Sequence, residues 1–79
     1  MTLDELQRDE PAIVTSLDSS GAERRRLMDL GLLPGIEVRA DRTSPLGDPT
    51  AYLVRGSVIA LRRSQARGIH IEPSARRTQ

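Results

Sequence analysis

Residues 27–72 read LMDLGLLPGIEVRADRTSPLGDPTAYLVRGSVIALRRSQARGIHIE, and the spacing of glycine and proline here indicates the fold. Gly31 suits the end of a helix, Pro34-Gly35 a tight turn and Arg55-Gly56 a hairpin, with a Pro- and Gly-rich loop at 43–49. The runs between these breaks are short, and several alternate apolar and polar residues. The pattern predicts a mainly β domain of about five strands with one short helix. Strands this short usually close into a small barrel.

The predicted strands surround and continue this stretch. They are 11–17, 36–41, 51–55, 57–61 and 69–72. In the first strand, Ile13, Thr15 and Leu17 share one face. In the last, the period of two turns Ile69 and Ile71 inward.

The single helix is predicted over residues 21–30. Ser20 and Glu23 form a capping-box pattern, in which the Ser20 hydroxyl accepts from the Glu23 backbone N–H. On a helical wheel Leu27 and Leu30 point together toward the core, and Met28 falls on one flank.

Length and composition bound the class of protein. The 79 residues make one domain, for which we expect a folded part at 1–73 and a flexible polar tail at 74–79. Net charge is +1, cysteine is absent, and no run approaches the ~20 apolar residues needed to span a bilayer. The acidic N-terminus lacks the basic-then-apolar order of a signal peptide. These features predict a cytoplasmic protein without direct membrane insertion.

The sequence contains few residues suited to metal binding or catalysis. Without cysteine and with His70 as the only histidine, a soft-metal site lacks ligands, and we expect His70 to face solvent beside Glu72. No catalytic constellation and no phosphate-binding glycine motif is present, so we expect no enzyme and no cofactor. Tyr52 is the only aromatic residue, which argues against stacking on nucleic acid and against an aromatic groove for proline-rich peptides.

Several segments together resemble the FeoA family, the small proteins of bacterial ferrous-iron uptake. The order and spacing of these segments carry the resemblance: Thr2 to Leu6, Arg26 to Leu32, Pro34 to Val38, Pro45 to Pro49, Val54 to Gly56, Ile59 to Arg62, and Ala66. They also resemble the SH3-like domain at the C-terminus of metal-dependent repressors of the diphtheria-toxin-repressor type. The stretch Arg8 to Pro11 departs from the family, which often has a glycine turn there.

The resemblance implies an SH3-like β-barrel and a non-enzymatic accessory role. The implied partner is FeoB, the membrane permease that imports Fe²⁺ and carries a cytoplasmic G-protein domain. Transition-metal binding is associated with the family. Two alternatives stay open: an isolated SH3-like domain of a metal-dependent repressor, and a metallochaperone that carries Fe²⁺ weakly.

Four residues are the candidates for partner binding. Met28 suits adaptable apolar contacts, and Arg25 and Arg62 suit acidic groups on a partner. Leu46, at the tip of the Pro-Leu-Gly loop, either lies exposed at the interface or folds back to plug the barrel. For self-association we expect a monomer or a weak homodimer.

Overall fold

The computed structural model describes residues 1–18, 20–43 and 47–74, with the side chains of residues 42 and 43 excepted. A 3₁₀ helix (Leu3–Glu5) comes first. It is followed by β1 (Pro11–Leu17), α1 (Gly21–Asp29), β2 (Glu37–Thr43), β3 (Thr50–Val54), β4 (Ser57–Leu61), α2 (Arg63–Ala66) and β5 (Ile69–Pro73). The expectation of a mainly β fold with five strands is confirmed over these ranges. Leu46 lies outside the described residues.

All strand pairs are antiparallel, and the sheet has the order β4-β3-β2-β1-β5. β4 and β5 are therefore the two edges. A two-residue turn joins β3 to β4, with φ of 53° at Arg55 and 83° at Gly56. Positive φ at both central residues defines the type I′ turn, whose twist matches that of the flanking strands.

The N-terminal segment covers the outer side of β5. The Met1 carbonyl accepts the Ile71 N–H at 2.9 Å, and Thr2 forms an antiparallel bridge with His70. The 3₁₀ helix then inserts Leu3, whose side chain is fully buried. A free sheet edge is thus avoided on this side.

The end of α1 determines which leucines reach the core. The Gly31 N–H donates to the Met28 carbonyl and the Leu32 N–H to the Leu27 carbonyl, a Schellman arrangement, with φ of 102° at Gly31. Leu27 and Leu32 are completely buried, whereas Leu30 is 40% exposed. The prediction that Leu30 points into the core is wrong, because the chain reverses at Gly31 and places Leu32 there instead.

Two further local predictions fail for tertiary reasons. Ser20 precedes α1 but its side chain makes no capping hydrogen bond, and the Glu23 carboxylate accepts instead from the Gln65 side chain at 3.3 Å. On β1 the core face is the one that carries Ala12 and Val14. Ile13 and Leu17, predicted to share a face with Thr15, are only half-buried, and a bulge between Val14 and Ser16 interrupts the alternation.

The core is aliphatic and lies under the sheet and the helices. Its largest fully buried side chains are Leu3, Leu27, Leu32, Leu61, Ile69, Val14, Val38 and Val54. In the described part of the chain, no helix is long and apolar enough to cross a membrane. The boundary between a folded part and a tail at residue 73 stays a prediction.

Candidate functional site

An arginine-rich flank of α1 is the first candidate surface. Arg24, Arg25, Met28 and Asp29 line a shallow depression of about 510 Å³ with Gly21 at its end. Arg24 and Arg25 are exposed and Met28 is half-buried. We call Arg24, Arg25 and Met28 the α1 surface. An adaptable thioether beside two guanidinium groups suits an acidic partner with an apolar side chain at its centre.

The other predicted partner residues are not part of this depression. Arg62 is exposed and precedes α2, where its backbone N–H donates to the Gln65 side-chain oxygen at 2.9 Å. Gln65 also holds Glu23 of α1, so one amide side chain connects the two helices. The structure therefore brings Arg25 and Met28 together and places Arg62 on the neighbouring helix. Leu46 lies beyond what the structure describes.

A small polar cleft is the second candidate. It has a volume of about 190 Å³ and is lined by Asp4, Leu6, Gly47, Thr50, Tyr52 and Arg63. The Arg63 backbone N–H donates to the Asp48 carboxylate at 2.9 Å, and the Arg63 guanidinium donates to the Gly47 carbonyl at 3.4 Å. Asp4 lies 4.0 Å from the Arg67 guanidinium. The charges at the mouth of the cleft are thus engaged by neighbours within the protein.

Tyr52 forms the back of this cleft. Its side chain is almost completely buried, and its hydroxyl donates to the Leu3 carbonyl at 3.4 Å. Burial raises the pKa of the Tyr52 phenol above its ordinary value of 10.0, and the Asp4 and Asp48 charges act in the same direction. Hydrogen bonding to Thr50 and the Arg63 charge oppose that rise in pKa. The phenol is therefore neutral at physiological pH and serves as an anchor for the N-terminal segment.

His70 is paired rather than facing solvent alone. Its Nε2 lies 2.7 Å from the Asp18 carboxylate, and its side chain is 38% exposed. Over residues 1–18, 20–43 and 47–74, no three His, Cys, Asp or Glu side chains come close enough together to hold a metal ion. One imidazole and one carboxylate supply only two of the four ligands of a tetrahedral metal site.

The cleft is smaller than the ~300 Å³ at which small-molecule sites usually begin. Sequence reasoning missed the cleft, because its residues are scattered from Asp4 to Arg63 and share no motif. The sequence singled out Arg25 for its charge and Met28 for its adaptable side chain, and the structure places both on one depression because residues three apart in a helix are neighbours.

The strand order and the short helices define the class of this protein, a small SH3-like β domain. The chain belongs to the FeoA family, since the family model described as "FeoA domain" matches residues 1–73.

Solved structures of FeoA proteins support this assignment. FeoA from Chlorobium tepidum is 43% identical with a TM-score of 0.89, and the match covers 95% of this chain and 71% of that one. FeoA from Stenotrophomonas maltophilia, an SH3 domain protein complexed with zinc, is 36% identical with a TM-score of 0.81. That match covers 91% of this chain and 89% of the other.

A larger relative carries the same domain beside a transporter. A Fe(2+) transport protein A/Fe(2+) transporter FeoB fusion protein from Porphyromonas gingivalis is 29% identical over 72 residues, which is 91% of this chain. The chain spans only 8% of the length of that fusion protein.

The repressor alternative has support at the level of the fold alone. T. acidophilum IdeR is 20% identical with a TM-score of 0.81, and the match covers 92% of this chain and 33% of IdeR. The higher identities to FeoA proteins favour the FeoA assignment.

Proposed function

We propose that this chain is a non-enzymatic accessory protein of ferrous iron transport. It acts in the cytoplasm by docking on the cytoplasmic G-protein part of an FeoB-type permease. The docking residues are those of the α1 surface, with Arg62 and Leu46 as further contacts.

The observation that carries this proposal is the fusion of a homologous domain to FeoB in one chain. Fusion holds two modules at a high effective concentration, so that even a weak contact between them forms. Separate chains must form the same contact through the affinity of the interface alone. A homologous domain that is not linked to FeoB would need a surface of its own for the same partner.

The α1 surface supports the proposal by its chemistry. Arg24 and Arg25 are exposed and flank Met28 around an open depression. Neither arginine has an ion pair within 4.0 Å among the described residues, so both are available to carboxylates of a partner. Charge pairs across an interface mainly set the rate and specificity of association.

The test is an NMR titration of the isotope-labelled chain with the purified G-protein domain of an FeoB-type permease, with and without guanine nucleotide. The proposal predicts localised shifts at Arg25 and Met28, and weakening by added salt. Shifts that depend on nucleotide would tie docking to the state of the G protein.

A matched pair of variants makes the titration specific. Arg25→Glu should weaken binding about tenfold, whereas Arg8→Glu, an equal charge change at an exposed residue outside the depression, should leave binding within about twofold. If no resonance shifts at high concentrations of the G-protein domain, direct docking is wrong. If both variants weaken binding equally, the docking surface is not the one proposed.

A further inference from the structure

The two edges of the sheet differ in whether their outer backbone groups are paired. The outer side of β5 is occupied by Met1 and Thr2. Over the described ranges, β4 pairs only with β3, and no backbone group outside that pair bonds to it. We call the outer side of β4, residues 57–61, the open edge.

The hairpin register identifies the backbone groups that point outward. Val54 and Ser57 close a two-residue turn, so this pair exchanges both of its hydrogen bonds. Hydrogen-bonded pairs alternate with non-bonded pairs along an antiparallel ladder. The partners Leu53–Val58 and Ala51–Ala60 are therefore non-bonded, and the N–H and C=O groups of Val58 and Ala60 face away from β3.

Apolar side chains continue up to this edge. Val58 is 59% exposed and lies directly opposite Leu53, which is 37% exposed. On the other face of the strand, Ile59 is half-buried against the core. A strand added beside β4 would cover apolar side chains on both faces.

The open edge lacks the usual protection against pairing. Residues 57–61 contain no charge and no proline, and the strand is regular over all five residues of its pairing with β3. Natural edge strands are commonly blunted by charges, proline or bulges. An exposed edge of this kind can accept an extended peptide as an added strand.

Charge at the two ends of β4 provides that selection. Arg55 precedes the strand, and Arg62 and Arg63 follow it. Arg55 and Arg62 are exposed, and neither has an ion pair within 4.0 Å among the described residues. The edge is thus an uncharged strand between two positive ends.

We infer that the open edge binds an extended segment of a partner protein that has apolar β-branched residues at alternate positions and acidic residues at both ends. The segment adds as a sixth strand beside β4. The backbone of the segment pairs with Val58 and Ala60. The carboxylates of its acidic side chains, one group at each end, contact Arg55 and Arg62. The inference does not depend on the proposed docking of the α1 surface.

A second copy of this chain fits the edge less well. Two-fold antiparallel pairing of β4 centred on Ile59 would bring the turn that carries Arg55 in each copy beside the end of β4 that carries Arg62 and Arg63 in the other. Like charges directly opposite each other are destabilising. The same charges that attract an acidic segment therefore disfavour self-pairing.

The probe is the synthetic peptide Glu-Glu-Thr-Val-Thr-Val-Thr-Val-Glu-Glu, titrated into the isotope-labelled chain at low salt. We expect chemical shifts centred on β4, and slower amide exchange at Val58 and Ala60 when the peptide is bound. The same peptide with lysine in place of every glutamate should bind at least about tenfold more weakly. Self-pairing predicts instead that shifts at Val58 and Ala60 depend on protein concentration without peptide, and that result would overturn the choice of occupant.

Substitutions at Ala60 separate strand addition from other binding. Ala60→Pro removes an outward N–H without removing a bond to β3, and should weaken the acidic peptide about tenfold or more. Ala60→Val keeps the N–H and should bind within about threefold of the parent. Equal affinity of the two variants would refute backbone pairing.

Charge reversal keeps the inference testable if the proline variant fails to fold. Arg62→Glu should weaken the acidic peptide and strengthen the lysine peptide. An unchanged preference, or shifts confined to Arg25 and Met28 with the acidic peptide, would overturn the inference.

Discussion

The two edges of the sheet, at β5 and at β4, differ in whether their outer backbone groups are hydrogen-bonded. The edge at β5 is sealed by the chain's own N-terminal segment, through the Met1 carbonyl, the Thr2–His70 bridge and the buried Leu3. The edge at β4 ends in outward backbone groups and an exposed Val58. Over residues 1–18, 20–43 and 47–74, the chain therefore covers only one of the two edges of its sheet. The predictions below test how far the two edges differ.

The largest expected difference is in amide hydrogen exchange. The Ile71 N–H is bonded to Met1 and should exchange only when the N-terminal segment detaches from β5, whereas the N–H groups of Val58 and Ala60 should exchange almost as in an unfolded peptide. We expect the rates to differ by at least about a thousandfold. Comparable protection of Val58 and Ile71 in the free protein would show that both edges are covered.

Side-chain truncation should show the same asymmetry. Ile71 is 2% exposed, so Ile71→Ala should lower the free energy of unfolding by about 2–4 kcal/mol. Val58 is 59% exposed, so Val58→Ala should lower it by less than about 0.5 kcal/mol. Urea denaturation followed by circular dichroism measures both. Equal losses would contradict the burial difference between the edges.

Tyr52 links the sheet to the segment that covers β5. Tyr52→Phe removes the hydrogen bond to the Leu3 carbonyl and should cost about 1 kcal/mol or less. It should also speed exchange of the Ile71 N–H, because the N-terminal segment is then held less firmly. Exchange of the amides of β3 and β4 serves as the internal control.

The same substitution has a signature in alkaline solution. Burial raises the pKa of Tyr52, so the folded state holds the phenolic proton more tightly than the unfolded state does. This contribution to stability is fully present below pH 10 and is lost as the pH rises through the raised pKa. Since lysine is absent, Tyr52 is the main group that titrates there, and Tyr52→Phe should flatten the alkaline loss of stability. An unchanged alkaline profile would contradict burial of the phenol.

The smallest effect is expected at the Asp18–His70 pair beside the covered edge. Asp18→Asn removes the charge that faces His70, but both side chains are substantially exposed. The loss should stay within about 0.5 kcal/mol and shrink in high salt. The backbone bond from the Asp18 N–H to the Gly68 carbonyl at 2.7 Å remains. A loss of several kcal/mol in thermal unfolding would mean that the pair, rather than the backbone, secures β5.

Local chemistry predicted the framework well. Gly31, Gly35 and Gly56 all have positive φ, as the helix end and the two turns require, and β1 and β4 begin and end where the pattern places them. These features depend on residues adjacent in sequence. The resemblance to FeoA adds the arrangement of the strands, which local patterns do not contain.

The sequence-based predictions that were wrong concern side chains whose positions depend on contacts with residues elsewhere in the fold. Leu30 and Leu32 are equally apolar, and only the Schellman turn decides which one is buried. Glu23 engages Gln65, far along the sequence, instead of the start of its own helix. The cleft and the open edge arise from strand pairing, so the spacing of residues along the sequence does not predict them. Arg25 and Met28 lie together as helical periodicity predicts, but their role in docking stays a prediction.

Tyr52 is also the only aromatic chromophore among the 79 residues. The chain has no tryptophan, and its single tyrosine is enclosed by the core and the cleft. Fluorescence excited in the indole band therefore comes entirely from whatever is mixed with the protein. A tryptophan in a transporter domain, or one placed in a synthetic strand, would report complex formation without a label on either molecule.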